Sequence, residues 1–479
     1  MGIPHSFGGA AAVDRGLTQE QSLSMYAVFA SIPLIGHLNP LLRQAEELSR
    51  RGWRVALAST TEARSHVEGR VAGVSFIDLG PQSTALGSLE DVEAAACRNP
   101  SFVLGGLKMM AWASSNWTVL FDGLQRELAR DRPAVVIADL ASAGAMDAAE
   151  AAGVPMVVNN PFILPVLPPA LFPPRDDVPF LFSGTSIHAM GISQRLLYPL
   201  VRPVWTAVVA GTFGRELNRY RRTRNLPPID VNLRHRDDLV LVNSAFGLEY
   251  RRALPPTIHM VGPMLPPTPE VLPAECEAWL REGPPVVFAN LGTVAVASAE
   301  QVRKLAAALT STKFRTLWVL RGKARDHLPS PLPPNMRVEN WVPLQLGILG
   351  HPNVRVFLSH CGVNSIHESI AGGTPIVGIP MLADQLDMAV RVQDAGAGVY
   401  VDKRKFTVSE LATCIERVLT EASFRDALPA LQSSFRLAGG VPRAVDLIEH
   451  FARFGIGYTV RDAGPVPSVA PSCSPAAMA

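Results

Sequence analysis

The chain has 479 residues, and its 44 basic and 42 acidic side chains give a net charge of +2. This balance gives no general attraction to nucleic acid or to an acidic membrane surface, and an apolar content of 48% excludes global disorder. The five cysteines are scattered and form no CxxC pair, which argues against a disulfide framework or a zinc site and favours a reducing, cytoplasmic location.

The amino-terminal region predicts no secretory signal. Residues 1–24 are small and polar and contain no apolar h-region, so we expect a flexible extension. The longest uncharged run, residues 153–174, is long enough to span a bilayer, but its seven prolines are incompatible with a regular transmembrane helix. We therefore expect no stable insertion into a membrane.

The first regular segments predict a βαβ unit and therefore a parallel sheet. The apolar run 26–31 is typical of a buried strand, and a loop over 32–39 follows it. Pro40 is expected to begin a helix, because its missing N–H costs nothing at the first helical position. A second strand is predicted over 54–59. Further buried strands are predicted over 134–139, 154–158 and 239–243.

A second α/β series follows a proline-rich stretch over 251–273. Its predicted elements are strands over 286–290, 316–320, 354–358 and 375–379, and helices over about 299–310, from Asn364, from Asp384, over 408–420 and over 443–454. The sequence therefore predicts two doubly wound α/β domains, with ligands at the carboxyl ends of their strands. Neither domain carries GxGxxG or GxxxxGKS/T, which argues against ordinary dinucleotide or P-loop phosphate binding.

A turn and a helix start near residue 360 predict a phosphate site. Gly362 lies in the turn, and a helix begins at Asn364 or Ser365. Helix N-termini present free N–H groups and a partial positive charge, which suit phosphate, and His360 adds a donor on the same turn. Asn364 and Ser365 can either cap the helix or bind a phosphate.

The side chains around this turn predict contacts to a base and to sugar hydroxyls. Trp341 can stack on a flat base, and Glu368 can reach a ribose diol one helical turn beyond the phosphate site. Asp384 and Gln385 follow the next strand, where a carboxylate and an amide suit sugar hydroxyls. Each residue alone is more often a core or capping residue, so only their combination in this order favours a nucleotide-sugar site.

This pattern resembles the donor-binding signature of family 1 UDP-dependent glycosyltransferases. The matching positions are Trp341-x-Pro343, Gln345, residues 348–352, His360-Cys361-Gly362-x-Asn364-Ser365-x-x-Glu368, Gly373-x-Pro375 and Asp384-Gln385. The loop with Gly36-His37, residues 137–139, residues 291–293 and the order of the two domains also fit the family. The resemblance implies the GT-B fold, in which two Rossmann-like doubly wound α/β domains face each other across a cleft.

The resemblance also implies roles for individual residues. Trp341 would stack on uracil, Gln345 would contact the ribose or the base, and Glu368 would bond the ribose hydroxyls. The diphosphate would lie against His360, Asn364, Ser365 and Thr293, and the sugar against Asp384 and Gln385. The full set of candidate donor-binding residues is Gly36, Thr293, Trp341, Gln345, His360, Gly362, Asn364, Ser365, Glu368, Asp384 and Gln385.

Two departures from the family pattern concern the donor. One extra residue near Leu344 separates Trp341 from His360, which could shift the stacking platform. Val363 stands where plant members usually carry tryptophan, which leaves the choice of sugar open. An Asp-Gln pair such as Asp384-Gln385 often accompanies glucose in the family, so the resemblance favours UDP-glucose as co-substrate.

His37 and Asp139 form the predicted catalytic pair. Each follows or ends a strand of the first sheet, so their side chains can meet at its carboxyl edge, and an imidazole oriented by a carboxylate is a suitable base. The family uses a His–Asp dyad at positions resembling these two. The resemblance implies single displacement with inversion, His37 as general base, no permanently bound cofactor and no metal.

The acceptor is expected in the poorly matching segments 60–130 and 160–235. Their large apolar residues suit a small lipophilic hydroxylated acceptor such as a phenolic, polyketide or terpenoid, although many of them could be ordinary core. These residues are Met109, Met110, Trp112, Trp117, Phe162, Phe172, Phe180 and Phe182. Two alternatives stay open: a sterol or lipid glycosyltransferase acting at a membrane surface, and a catalytically silent nucleotide-sugar binder.

The resemblance completes a predicted division of the chain. It comprises a flexible extension over 1–24, an acceptor-binding domain over 25–255, a linker over 256–280, a UDP-sugar-binding domain over 281–442, a terminal helix over 443–460 that packs back on the first domain, and a disordered tail over 461–479.

Overall fold

A computed structural model of the chain describes residues 25–173, 178–266, 271–292, 298–311, 313–342 and 345–455. The predicted extension over 1–24, the predicted tail over 461–479, Thr293 and Leu344 lie outside these residues. The described chain alternates strands and helices and forms two parallel sheets.

The first sheet has seven strands in the order β3-β2-β1-β4-β5-β6-β7. Its strands are β1 Tyr26–Ala30, β2 Arg54–Ser59, β3 Val74–Asp78, β4 Val135–Asp139, β5 Met156–Asn160, β6 Leu239–Val242 and β7 Ile258–Met260. The helices of this part are α1 Ile35–Arg50, α2 Arg64–Val67, α3 Leu89–Arg98, α4 Phe102–Ser115, α5 Trp117–Arg130, α6 Ala143–Ala151 and α7 Ile192–Arg222. The central strands are buried and apolar, as a parallel sheet covered on both faces requires.

The second sheet has six strands in the order β10-β9-β8-β11-β12-β13. Its strands are β8 Val286–Asn290, β9 Arg315–Val319, β10 Met336–Glu339, β11 Val354–Ser359, β12 Ile376–Gly378 and β13 Gly398–Tyr400. The remaining helices are α8 Ala274–Arg281, α9 Ala299–Thr310, α10 Gln345–Leu349, α11 Val363–Gly372, α12 Gln385–Asp394, α13 Val408–Thr420, α14 Ser423–Asp426, α15 Leu428–Ala438 and α16 Gly440–Phe454. The prediction of two doubly wound α/β units is confirmed.

The strand order of each sheet reverses at one point. In the first sheet the reversal lies between β1 and β4, and in the second it lies between β8 and β11. Ligands of open α/β sheets bind in the crevice at such a point, outside the carboxyl ends of the strands. The chain there carries His37 and Asp139 in the first sheet, and Asn290 and His360 in the second.

The segment after β1 differs from the sequence-based prediction. Helix α1 begins at Ile35, so the predicted loop over 32–39 and the predicted helix start at Pro40 are wrong. Pro40 lies inside the helix, where its missing N–H leaves the carbonyl of Gly36 without its helical partner. The helix forms nonetheless because its apolar face is buried on the first sheet.

The two sheets are joined by buried contacts and by the end of the chain. Arg391 of α12 forms a buried ion pair with Glu249 at 2.9 Å. Helix α16 returns to α1, where the guanidinium of Arg51 lies 2.7 Å from a carboxylate oxygen of Glu449. At the return, the Gly440 N–H donates to the carbonyl of Val261, with an N–O distance of 2.6 Å.

Candidate active site

His37 and Asp139 meet at the carboxyl ends of β1 and β4. Nδ1 of His37 lies 2.9 Å from Oδ1 of Asp139, and the Asp139 side chain is fully buried. Because a carboxylate only accepts hydrogen bonds, Nδ1 of the neutral imidazole carries the proton and donates it to the bond. Nε2 is then the nitrogen that can accept a proton. Its location in the first turn of a helix fixes His37 more firmly than the predicted loop would.

The second oxygen of Asp139 is also held. Oδ2 accepts hydrogen bonds from the backbone N–H of Ala141 at 3.0 Å and from the hydroxyl of Ser142 at 3.2 Å. The Ser142 hydroxyl oxygen in turn accepts from the N–H of Ile32 at 2.9 Å. The ring of Phe162 packs edge-on against His37, with ring centres 4.8 Å apart. These contacts leave the imidazole and the carboxylate little freedom to move.

His360 lies on the turn between β11 and α11. Cys361 adopts a left-handed φ of 64°, and Gly362 caps the helix. A Cβ atom on Gly292 would lie 2.6 Å from Cε1 of His360, and one on Gly362 would clash with Nε2. Burial lowers the pKa of His360 to about 4, so the ring is neutral at pH 7 and offers a hydrogen bond rather than a full charge.

Gln345 joins three polar side chains, one at the end of β8 and two on α11. Its Oε1 accepts from Nδ2 of Asn290 at 2.6 Å, and its Nε2 donates to Ser365 at 3.3 Å and to Glu368. The structure therefore brings the predicted residues Gln345, Ser365 and Glu368 together. It also shows that Gln345 orients Glu368, which the sequence did not indicate.

Trp341 is 45% exposed on the wall of the cleft. The guanidinium of Arg321 lies 4.7 Å from the centre of a Trp341 ring, close enough for a cation–π contact. Partial desolvation lowers the pKa of Arg321, although the residue is exposed. The predicted platform therefore has a cationic neighbour.

Asp384 occupies the N-cap position of α12 without a capping hydrogen bond from its side chain, and Gln385 is the first residue of that helix. Oε1 of Gln385 accepts from the N–H groups of Met381 at 2.9 Å and Leu382 at 3.1 Å, so this oxygen stabilises the preceding turn. Asp384 is 9% exposed, and its buried Oδ2 has no hydrogen-bond partner among the described residues. Burial raises the pKa of Asp384 to about 6. An unpartnered buried carboxyl oxygen is costly, and it suits a ligand hydroxyl.

One cavity of about 580 Å³ contains the described donor residues. His37 lines the same cavity, whereas Asp139 lies behind His37 and Thr293 lies outside the described residues. The predicted donor residues on the cavity wall are Gly36, Trp341, Gln345, His360, Gly362, Asn364, Ser365, Glu368, Asp384 and Gln385.

The apolar candidates divide into cavity wall and core. Those that line the same cavity are Met109, Met110, Trp117, Phe162 and Phe182. Trp112 and Phe172 are buried in the core of the first unit, and Phe180 lines a smaller cavity that shares wall residues with the first. Trp112 and Phe172 are therefore core alone, whereas Trp117 and Phe182 are buried in a core cluster and also line the cavity.

Comparison with known proteins decides the family. A model described as UDP-glucoronosyl and UDP-glucosyl transferase matches residues 121–454. The chain belongs to this family. It is 26% identical to UDP-glycosyltransferase 1 of Phaeomoniella chlamydospora over 381 residues, and the match covers 74% of this chain and 76% of that protein. It is 28% identical to UDP-glucuronosyltransferase 2B13 of Oryctolagus cuniculus over 317 residues, and the match covers 64% of this chain and 58% of that protein.

Solved glycosyltransferases share the fold of this family member. The glycotransferase of kitacinnamycin aligns with a TM-score of 0.66 at 22% identity, over 89% of this chain and 98% of that one. The glycosyltransferase VinC, solved in complex with DTDP, aligns with a TM-score of 0.62 at 17% identity, over 90% of this chain and 100% of that one. At these identities the likeness establishes the fold alone. The predictions of the family, of the GT-B fold and of a UDP-glycosyltransferase enzyme are confirmed.

Three polar residues of this UDP-glycosyltransferase escaped the sequence analysis. Asn290 ends the apolar strand β8, and Arg321 comes shortly after β9. A polar residue at the carboxyl end of an apolar strand is a signal that could have identified both. Ser142 precedes a helix of small residues and could not be distinguished from an ordinary cap. In the ranges that the structure describes, no helix is long and apolar enough to cross a membrane, and no group of three metal-binding side chains occurs.

Proposed function

We propose that this UDP-glycosyltransferase transfers glucose from UDP-glucose to a hydroxyl of a small lipophilic acceptor, with inversion at the anomeric carbon and with His37 as general base. The observation that carries the proposal is the His37–Asp139 pair, since His37 lies on the wall of the cavity that also holds Trp341, His360 and Asp384. A silent nucleotide-sugar binder would have no use for an imidazole oriented by a buried carboxylate.

In the proposed reaction, the acceptor hydroxyl gives its proton to Nε2 of His37 while its oxygen forms a bond to the anomeric carbon. The bond between that carbon and the UDP oxygen breaks, and UDP leaves with the electron pair. Asp139 holds the required tautomer and stabilises the imidazolium that forms. The first N–H groups of α11 and the neutral ring of His360 stabilise the negative charge that develops on UDP.

The electrostatics of Asp384 favour a neutral hexose over a sugar acid. With a pKa of about 6, this carboxyl is mainly ionised at pH 7 and repels a second carboxylate on the donor sugar. Its unpartnered Oδ2 suits a sugar hydroxyl. UDP-glucuronate is the competing donor, because one relative is named a glucuronosyltransferase.

The apolar wall supports the lipophilic acceptor. Met109, Phe162 and Phe182 contribute to this wall beside His37. We propose a cytoplasmic location because the four described cysteines are free, as expected in a reducing compartment. Binding to lipid vesicles in the absence of acceptor would instead favour the membrane-surface alternative.

The test is transfer from UDP-glucose, UDP-glucuronate and dTDP-glucose to phenolic, terpenoid and sterol acceptors, followed by mass shift and nucleoside diphosphate release. We expect His37→Ala to lower kcat/KM by about 10²–10⁴-fold, the usual contribution of a general base, and to leave UDP affinity unchanged. His188→Ala changes an exposed histidine outside the cavity and is the control. UDP binding without transfer to any acceptor would favour the silent binder.

A further inference from the structure

Arg234 is a buried cation in the acceptor part of the cavity. It follows α7 in the chain and lines the cavity together with the apolar side chains of Met146, Leu217 and Val231. Its side chain is nine-tenths buried. A guanidinium at such a place requires a counter-charge and hydrogen-bond partners.

The counter-charge of Arg234 is Asp147, a fully buried residue of α6. Nη2 of Arg234 donates to Oδ1 of Asp147, which also accepts from Arg221. Oδ2 of Asp147 accepts from Nε1 of Trp117 at 2.6 Å, and Arg221 has a second carboxylate in Glu150. The cluster therefore balances two guanidinium groups with two carboxylates and fixes the position of Arg234.

The hydrogen bonding of Arg234 is incomplete. Its described hydrogen bonds leave from Nη2, to Asp147 and to the carbonyl of Ala143. Nη1 is buried and has no partner among the described residues. An N–H group left in this state costs free energy, which an oxygen atom of a ligand would recover.

We propose that the guanidinium of Arg234 turns to bring its unpartnered Nη1 to the cavity surface and there binds a carbonyl or carboxylate oxygen of the acceptor. This inference rests on the proposed function, because it assigns the acceptor class of the same cavity. An apolar wall alone allows a lipophilic molecule several orientations, whereas one fixed donor selects the orientation that presents the hydroxyl to His37. Since Asp147 already balances the charge of Arg234, the donor suits a ketone as well as a carboxylate.

The experiment compares three phenolic acceptors of equal length that carry a methyl group, a ketone or a carboxylate at the end opposite the hydroxyl. We expect the enzyme to use the ketone or the carboxylate compound with kcat/KM about tenfold above that of the methyl compound, as one hydrogen bond predicts. Arg234→Lys keeps a cation beside Asp147 and removes Nη1. It is expected to abolish the preference, so that the kcat/KM values of this variant for the three compounds agree within about threefold.

Arg224→Lys is the matched control, because Arg224 pairs with Asp122 and does not line the cavity. It should retain the preference. Equal use of the three compounds by the unmodified enzyme, or an equal loss on all three in Arg234→Lys, overturns the inference. If Arg234→Lys does not fold, the comparison with the unmodified enzyme decides alone. If no acceptor is glycosylated at all, the proposed function fails as well. Transfer to all three compounds without preference overturns only the inference about Arg234.

Discussion

The side-chain amide of Asn364 donates a hydrogen bond to the backbone carbonyl of Gly36, with an N–O distance of 2.8 Å. The bond joins the first turn of α11 to the first turn of α1, which carries His37. The carbonyl of Gly36 is available because Pro40, four residues later, has no N–H. A proline that weakens α1 therefore provides the acceptor for a contact between the two halves of the active site.

Asn364→Ala is expected to lower kcat as well as to raise KM for the UDP-sugar. Loss of the predicted diphosphate contact alone would raise KM, whereas loss of the Gly36 contact also frees α1 and His37. A hydrogen bond to a charged group contributes about 1.5–3 kcal/mol, so kcat/KM should fall by about 10–100-fold. Steady-state kinetics with varied donor separates the two effects, and an unchanged kcat would contradict the positioning role.

Pro40→Ala restores the N–H that the Gly36 carbonyl lacks within α1. We expect the free energy of unfolding to rise, by no more than the roughly 3 kcal/mol that separates proline from alanine inside a helix. We expect kcat to fall, because the Gly36 carbonyl is then shared with the N–H of residue 40 and its bond to Asn364 weakens. Chemical denaturation and kinetics measure the two changes, and a stabilised variant with full kcat would refute the coupling.

Ser142→Ala removes the hydroxyl that connects Asp139 with Ile32. The buried N–H of Ile32 loses its partner, which should lower the free energy of unfolding by about 1–3 kcal/mol. The carboxylate of Asp139 loses one of its hydrogen bonds, so kcat should fall while UDP affinity, measured by calorimetry, stays the same. Ser434→Ala, at an exposed hydroxyl on α15, is the control and should change neither quantity appreciably.

Asp384→Asn removes a carboxyl whose pKa burial raises to about 6, from a usual value of 3.8. A raised pKa means that the folded state binds the proton more tightly than the unfolded state, so this group lowers stability as pH rises from about 4 to 7. Measured by thermal unfolding, the free energy of unfolding of the variant relative to that of the wild type should therefore rise by about 1–3 kcal/mol over this interval.

Asp402→Asn is the control of opposite sign for this experiment. Arg404 lowers the pKa of Asp402, so the ionised carboxylate stabilises the folded state at neutral pH. This variant should lose stability relative to the wild type as pH rises to about 4, the range in which Asp402 ionises, and should show no such slope between about pH 4 and 7. The same slope in both variants would contradict the assignment to Asp384.

Gly362→Ala tests the close packing beside His360. The added methyl group clashes with Nε2 of His360 and must displace the ring or the start of α11, so UDP affinity should fall by about tenfold or more. Gly350→Ala is the matched control, because its Cβ would lie 3.4 Å from the nearest atom, the carbonyl oxygen of Leu346. Equal UDP affinity in the two variants would show that the position of His360 is unimportant for UDP.

Strands with strong apolar runs could be predicted from the sequence, and β8 agrees with the prediction over 286–290. Strand β10 was missed because Arg337 and Glu339 interrupt its apolar character. The donor residues could be assembled because parallel strands bring their carboxyl ends to one edge. The contact between Asn364 and Gly36 could not be predicted, because it depends on how two units pack that are far apart in the chain.

The return of α16 to α1 affects how the cleft can open. The chain passes between the two halves twice, and the passages lie side by side, since the Gly440 N–H bonds to the Val261 carbonyl. A single connecting segment permits twisting and bending in every direction, whereas two segments held side by side resist twisting and leave one bending axis. The cleft would then open and close along one path. Each closure would return His37 to the same position opposite the residues of the second half that line the cavity.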